Sequence, residues 1–110
     1  MKKTTGAKVT VSSGNVFADF GFKDADDRLA KSELALQIAK IIKARRLTQA
    51  ATAERLGIDQ PKVSRLLGGK LHGFSTGQLM RFLNALGHDV EIFVREKSRL
   101  RRGKISVHVG

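Results

Sequence analysis

Leu47-Thr48-Gln49-Ala50-Ala51-Thr52-Ala53-Glu54-Arg55-Leu56-Gly57-Ile58-Asp59-Gln60-Pro61-Lys62-Val63-Ser64-Arg65-Leu66 is the stretch whose reading decides the fold. Ala53 is small where two short helices would cross, Leu56 and Ile58 flank Gly57, and Val63, Leu66 and Leu67 share one face at helical spacing. Thr48 is a good N-cap for the first helix, and Gly57 suits a left-handed C-cap at its end. Gly57 also lets the chain reverse with positive φ, which a side chain would resist, while Ile58 plugs the corner. The second helix begins after Asp59. The unit predicted is a helix, a sharp turn and another helix.

Working outward, Asp24, Asp26 and Asp27 introduce a long helix in which Leu29, Ala30, Leu34, Ile38, Ile41 and Ile42 recur every three or four residues. Carboxylates suit its N-terminus, and Lys43, Arg45 and Arg46 suit its C-terminus. Capping therefore explains the acidic cluster better than a metal site. On the other side, Ser75-Thr76-Gly77-Gln78 has the form of a capping box ahead of Leu79, Met80, Phe82, Leu83 and Leu86, which predicts a further helix running to Gly87.

Val90, Ile92 and Val94 then alternate with Glu91 and Arg95, with Phe93 breaking the polar side, and this predicts a strand over 89–95. Ile105, Val107 and Val109 repeat the alternation after a basic stretch from Lys97 to Lys104, so 97–110 is a basic tail or a second strand. A hairpin, pairing between two subunits and a frayed tail all stand open. Residues 1–15 are small and polar and read as a flexible arm, leaving 16–96 as the domain. At its start, Val16-Phe17-Ala18-Asp19-Phe20-Gly21-Phe22 holds three of the six phenylalanines of the chain. Such a cluster needs a surface, either its own core or a partner.

A chain of 110 residues supports one core. Its 41% hydrophobic and 28% charged content argues against global disorder. Lys and Arg number 21 against 10 Asp and Glu, a net charge of +11 that points to a polyanionic partner. With no Cys there is no disulfide or thiolate site. The start, Met1 to Gly6, lacks the apolar run of a secretory signal, and no stretch reaches transmembrane length, so a cytoplasmic location is expected, without membrane association. His72, His88 and His108 are scattered without partners at metal or triad spacing, so no catalytic residue, metal or cofactor is expected. The absence of Trp and Tyr argues against an RNA module with aromatic platforms. Glu33 and Gln37 interrupt any basic stripe that a membrane-surface helix would want.

The segment from Leu47 to Leu66 resembles the Cro/C1-type, or XRE-like, helix-turn-helix regulators, a likeness that extends over roughly Leu34 to Leu86. More loosely, Asn15 to Val94 is similar to HigA-type antitoxins. Thr52 departs from the pattern, standing where the family has a larger apolar residue. The resemblance implies a mainly α fold, a four- to five-helix bundle of the lambda-repressor-like DNA-binding type with a C-terminal strand or hairpin, and a motif at 48–66. It implies double-stranded DNA as partner.

In such a unit the second helix enters the major groove, and its face opposite Val63 and Leu66 would meet base edges. Pro61, Ser64, Arg65 and Gly68 lie on that face, with Gln60 and Lys62 on its flanks in the first turn. Arg65 can fork onto guanine, Gln60 can pair with adenine and Pro61 can offer apolar contact, so Gln60, Pro61, Lys62, Ser64 and Arg65 are the expected base-reading residues. Thr48, Gln49 and Lys70 are the expected phosphate ligands, while Lys43, Arg45 and Arg46 add field or merely solvate a helix end. A homodimer on a palindromic operator is expected, because two such helices about 34 Å apart read two half-sites. The alternative is an antitoxin that masks a RelE/HigB-like ribonuclease toxin, docking through Phe17, Phe20 and Phe22 or through the edge strand Val90 to Val94.

Overall fold

A computed structural model of the chain describes residues 25–96 and 103–110. The first helix, α1 (Ala25–Ala44), buries a stripe of Ala30, Leu34, Ala35, Ile38 and Ile42 at three- and four-residue spacing. Asp26 and Asp27 sit in its first turn and Lys43 in its last, each sign opposite the end of the helix dipole it faces. Asp27 also lies 3.9 Å from Lys31, one turn on.

The end of α1 has a form that the sequence did not announce. The Arg46 N–H donates to the Lys43 carbonyl and the Leu47 N–H to the Ile42 carbonyl, both at 3.1 Å, closing a Schellman turn. The residue at its left-handed position is Arg46, at φ 53, where glycine is the usual occupant. An L side chain there is disfavoured by about 1–2 kcal/mol. Leu47, next in line, packs half-buried against the core and fixes the exit.

Two short helices follow, α2 (Gln49–Leu56) and α3 (Gln60–Leu67), and their ends are set by local chemistry. The Thr48 hydroxyl accepts the Ala51 N–H at 3.0 Å, and Asp59 Oδ1 accepts the Lys62 N–H at 2.8 Å. Between them Gly57 takes φ 71 and ψ 32, its N–H bonded to the Ala53 carbonyl. Nothing stands within 4 Å of a Cβ added there, so the demand for glycine comes from the backbone angle and not from crowding. The last helix, α4 (Thr76–Ala85), opens on the Ser75 hydroxyl, which accepts the Gln78 N–H at 3.0 Å.

One core joins the four helices of the described residues. Leu34, Ala35, Ile38 and Ile42 of α1 face Leu79, Phe82, Leu83 and Leu86 at α4, while Leu56 of α2 and Leu66 of α3 close a further side. Ile38, Val63, Leu79 and Leu86 have no exposed surface at all, each burial contributing about 1.5–3 kcal/mol. The loop between α3 and α4 supplies Phe74, whose ring meets Phe82 edge-on at 6.1 Å.

Two expectations differ from the structure. Among the described residues the strand expected over 89–95 is not shown; Phe93 is the one bridge residue there. Val90 and Val107 pack half-buried on the core, yet Phe93, Val94 and Val109 are left 65%, 61% and 61% exposed. Alternation dictates which side of an extended chain can be buried, but not which segment lies beside it, and a ladder needs that neighbour. Leu67 is the second correction: it is exposed on the rim of α3 instead of sharing the buried face of Val63 and Leu66. Thr52, the departure from the family pattern, is fully buried with a hydroxyl that has no hydrogen-bond partner, so its place in the core leaves a polar atom unsatisfied. The arm at 1–15, the Phe17, Phe20 and Phe22 cluster and most of the basic stretch lie outside the described residues.

Candidate nucleic-acid interface

The exposed side of α3 follows from its buried one. Val63 and Leu66, three residues apart, are 0% and 1% exposed and fix the rotation of the helix about its axis. Gln60, Pro61, Ser64 and Arg65 consequently stand exposed on the far side. Arg65 is held by no carboxylate among the ion pairs of the described residues, so its guanidinium fork is free to present donors in the plane that a guanine edge requires.

The first turn of α3 is prepared for a close approach. Asp59 satisfies the Lys62 N–H, Pro61 has no N–H to satisfy, and Val63 donates to the Asp59 carbonyl at 3.1 Å. Two of the four orphan donors that a helix start normally carries are thereby accounted for. At α2 the Thr48 hydroxyl takes the Ala51 N–H and the Thr48 carbonyl takes the Thr52 N–H at 2.9 Å. Gln49 and Ala50 are exposed in the first turn, at the positive end of the helix dipole, where backbone N–H groups suit a phosphate. The Thr48 hydroxyl oxygen is committed to the cap, so Thr48 shapes this site more than it adds to it.

Lys70 is placed by the end of α3. The Gly69 N–H donates to the Leu66 carbonyl at 3.2 Å and the Lys70 N–H to the Arg65 carbonyl at 2.9 Å, a second Schellman turn with Gly69 at φ 76. Gly68 is also constrained, since an added Cβ would come within 3.2 Å of the Ser64 carbonyl. Lys70 therefore follows the exposed side of α3 by a fixed backbone path and stands exposed.

Lys62 is placed differently from its neighbours. It is half-buried, and its Nζ lies 5.7 Å from the centroid of the Phe74 ring. Phe74, outside the expected site, is thus the platform behind the first turn of α3; an aromatic immediately before the Ser75 cap is the one sign of it in the sequence. Arg45 is exposed, with its Nη2 near Gly87 just past the C-terminal end of α4, 3.7 Å from where a Cβ there would be. Lys43 and Arg46 are exposed.

Among the described residues no group of His, Asp and Glu could hold a metal ion, and no helix is long and apolar enough to cross a membrane. A helix-turn-helix domain family matches residues 16–95. A solved structure of an XRE family transcriptional regulator is 51% identical to this chain, with a TM-score of 0.74, and covers 79% of this chain and 99% of its own. No curated protein matches the chain.

Proposed function

Since this chain belongs to the XRE-like helix-turn-helix regulators, a DNA-binding family without enzymatic chemistry, we propose that it is a sequence-specific repressor that reads the major groove with α3. The observation that supports this most is the two-sidedness of that helix: Val63 and Leu66 are buried while Gln60, Pro61, Ser64 and Arg65 stand clear. Arg65 and Gln60 read base edges, Ser64 and Pro61 complete the contact, and the free N–H groups of Gln49 and Ala50 hold a phosphate with Thr48 framing them. Lys70 binds the phosphate backbone beyond α3. Lys62 joins the base-reading set by exchanging the Phe74 face, worth about 0.5–1 kcal/mol at an exposed site, for a base edge worth about 1–3 kcal/mol.

Two copies bind a palindromic operator, since a single α3 of eight residues covers few base pairs. Membership of the family supports the DNA-binding part alone; nothing in the described residues favours the RelE/HigB-like toxin as a second partner. The reading is tested by fluorescence anisotropy on duplex DNA from upstream of the gene, set against unrelated duplex over a range of salt. Affinity should fall steeply with salt for both duplexes, while a sequence-dependent difference survives. Equal affinity for the two at every salt concentration would refute it.

A further inference from the structure

Among the described residues glycine fills four left-handed backbone positions, Gly57, Gly69, Gly73 and Gly87, and a side chain fills one, Arg46 at φ 53. Nothing in that turn calls for an arginine. The Arg46 N–H donates to the Lys43 carbonyl, a bond that glycine would make equally well and without resistance from a Cβ. A disfavoured conformation kept at an exposed position directs attention to what the side chain does.

The cations beside it have structural reasons to be there. Lys43 lies in the last turn of α1, where a positive charge faces the negative end of the helix dipole. Arg45 has its Nη2 near Gly87, just past α4. Arg46 lies outside the helix and is exposed, and no carboxylate pairs with it among the described residues. The chain has no acid from Leu34 to Ala53, while Lys40, Lys43, Arg45 and Arg46 all fall within that stretch. The corner between α1 and α2 therefore carries charge of one sign. Arg46 stands two residues before Thr48, which keeps their Cα atoms within about 7 Å of each other. It thus borders the exposed first-turn residues Gln49 and Ala50.

We propose that Arg46 binds a phosphate of the DNA backbone beside the one taken at the first turn of α2, so that the footprint of the helix-turn-helix extends onto the end of α1. The planar fork of a guanidinium matches two phosphate oxygens. Such a contact positions the duplex without reading its sequence. The inference rests on the DNA-binding part of the proposed function and not on base reading by α3.

Arg46→Gly removes the guanidinium and relaxes the backbone, so stability and binding should move in opposite directions. Thermal unfolding, and fluorescence anisotropy on the upstream and unrelated duplexes over a range of salt, are compared for the parent, Arg46→Gly, Arg46→Lys and Lys31→Ala. Lys31 controls for net charge, since it lies thirteen residues before the end of α1, about 20 Å along the helix. Arg46→Gly should unfold at a higher temperature than the parent. It should bind both duplexes about 5- to 10-fold more weakly at about 0.1 M salt, with the slope of log affinity on log salt reduced by about 1. Arg46→Lys should keep the parent slope, and Lys31→Ala should stay within about twofold of the parent affinity. An unchanged affinity and slope in Arg46→Gly, or an equal loss in Lys31→Ala, would overturn the proposal. A lower unfolding temperature for Arg46→Gly would overturn its premise of a strained turn. Equal parent affinity for the two duplexes would refute base reading alone, because the Arg46 comparison is read on each duplex separately. A parent that bound neither duplex would overturn both.

Discussion

Val63 in α3 and Val94 beyond α4 are the same residue in two different situations, one with no exposed surface and the other 61% exposed. Around Val63 every local choice agrees. Asp59 caps the helix, Gly57 turns the chain into it, Leu66 continues the buried stripe, and Ala53 permits the crossing of α2. Around Val94 the apolar residues Val90, Ile92 and Val94 alternate, yet among the described residues only Phe93 is a bridge residue and no ladder is seen. A helix closes its own backbone bonds within four residues, whereas an extended segment borrows a partner from elsewhere in the chain. The contrast shows that apolar pattern becomes structure where the polar groups of the backbone are satisfied at the same time.

The two regions should respond unequally to substitution, and the largest difference is expected at Leu66. Leu66→Ala removes a fully buried side chain and should destabilise the fold by about 2–5 kcal/mol in urea unfolding; a loss under about 1 kcal/mol would place Leu66 outside the core. Gly57→Ala comes next, with about 1–2 kcal/mol lost to the left-handed backbone alone, since the added Cβ meets nothing. Thr52→Val should act in the opposite direction, raising stability by about 1 kcal/mol, because it replaces an unsatisfied buried hydroxyl with a methyl of similar size. A destabilised variant would show that the hydroxyl has a partner after all. The smallest effect is expected in the second region, where Val109→Ala should change the unfolding midpoint by less than about 0.5 kcal/mol.

How far the sequence could be read follows the same division. The caps Thr48, Asp59 and Ser75 and the turn at Gly57 are legible because each acts on a backbone group within three or four residues. The exposed side of α3 is legible once Val63 and Leu66 set the helix rotation. Lys62 is not, because its ammonium is drawn to Phe74, twelve positions on and brought near only by the loop between α3 and α4. Arg46 is not either: a left-handed arginine has no signature in composition, and only the closing bonds from Arg46 and Leu47 reveal it. Leu67 fails for a subtler reason. It stands four residues from Val63 and keeps helical spacing, but at the last residue of α3 it is left 36% exposed. The strand over 89–95 fails because alternation carries no information about which segment pairs with it.

The central claim is that the exposed side of α3 reads bases, and Arg65 is where it can be tested most directly. Preferred duplexes are selected from a random pool by the parent chain and by Arg65→Ala at one fixed salt concentration, with folding of both confirmed by circular dichroism. The parent should select a palindrome. The variant should bind it about 1–3 kcal/mol more weakly and lose discrimination at one position in each half-site. If both proteins selected the same sequence with the same affinity, α3 would not be the reading helix in the orientation that its buried face dictates.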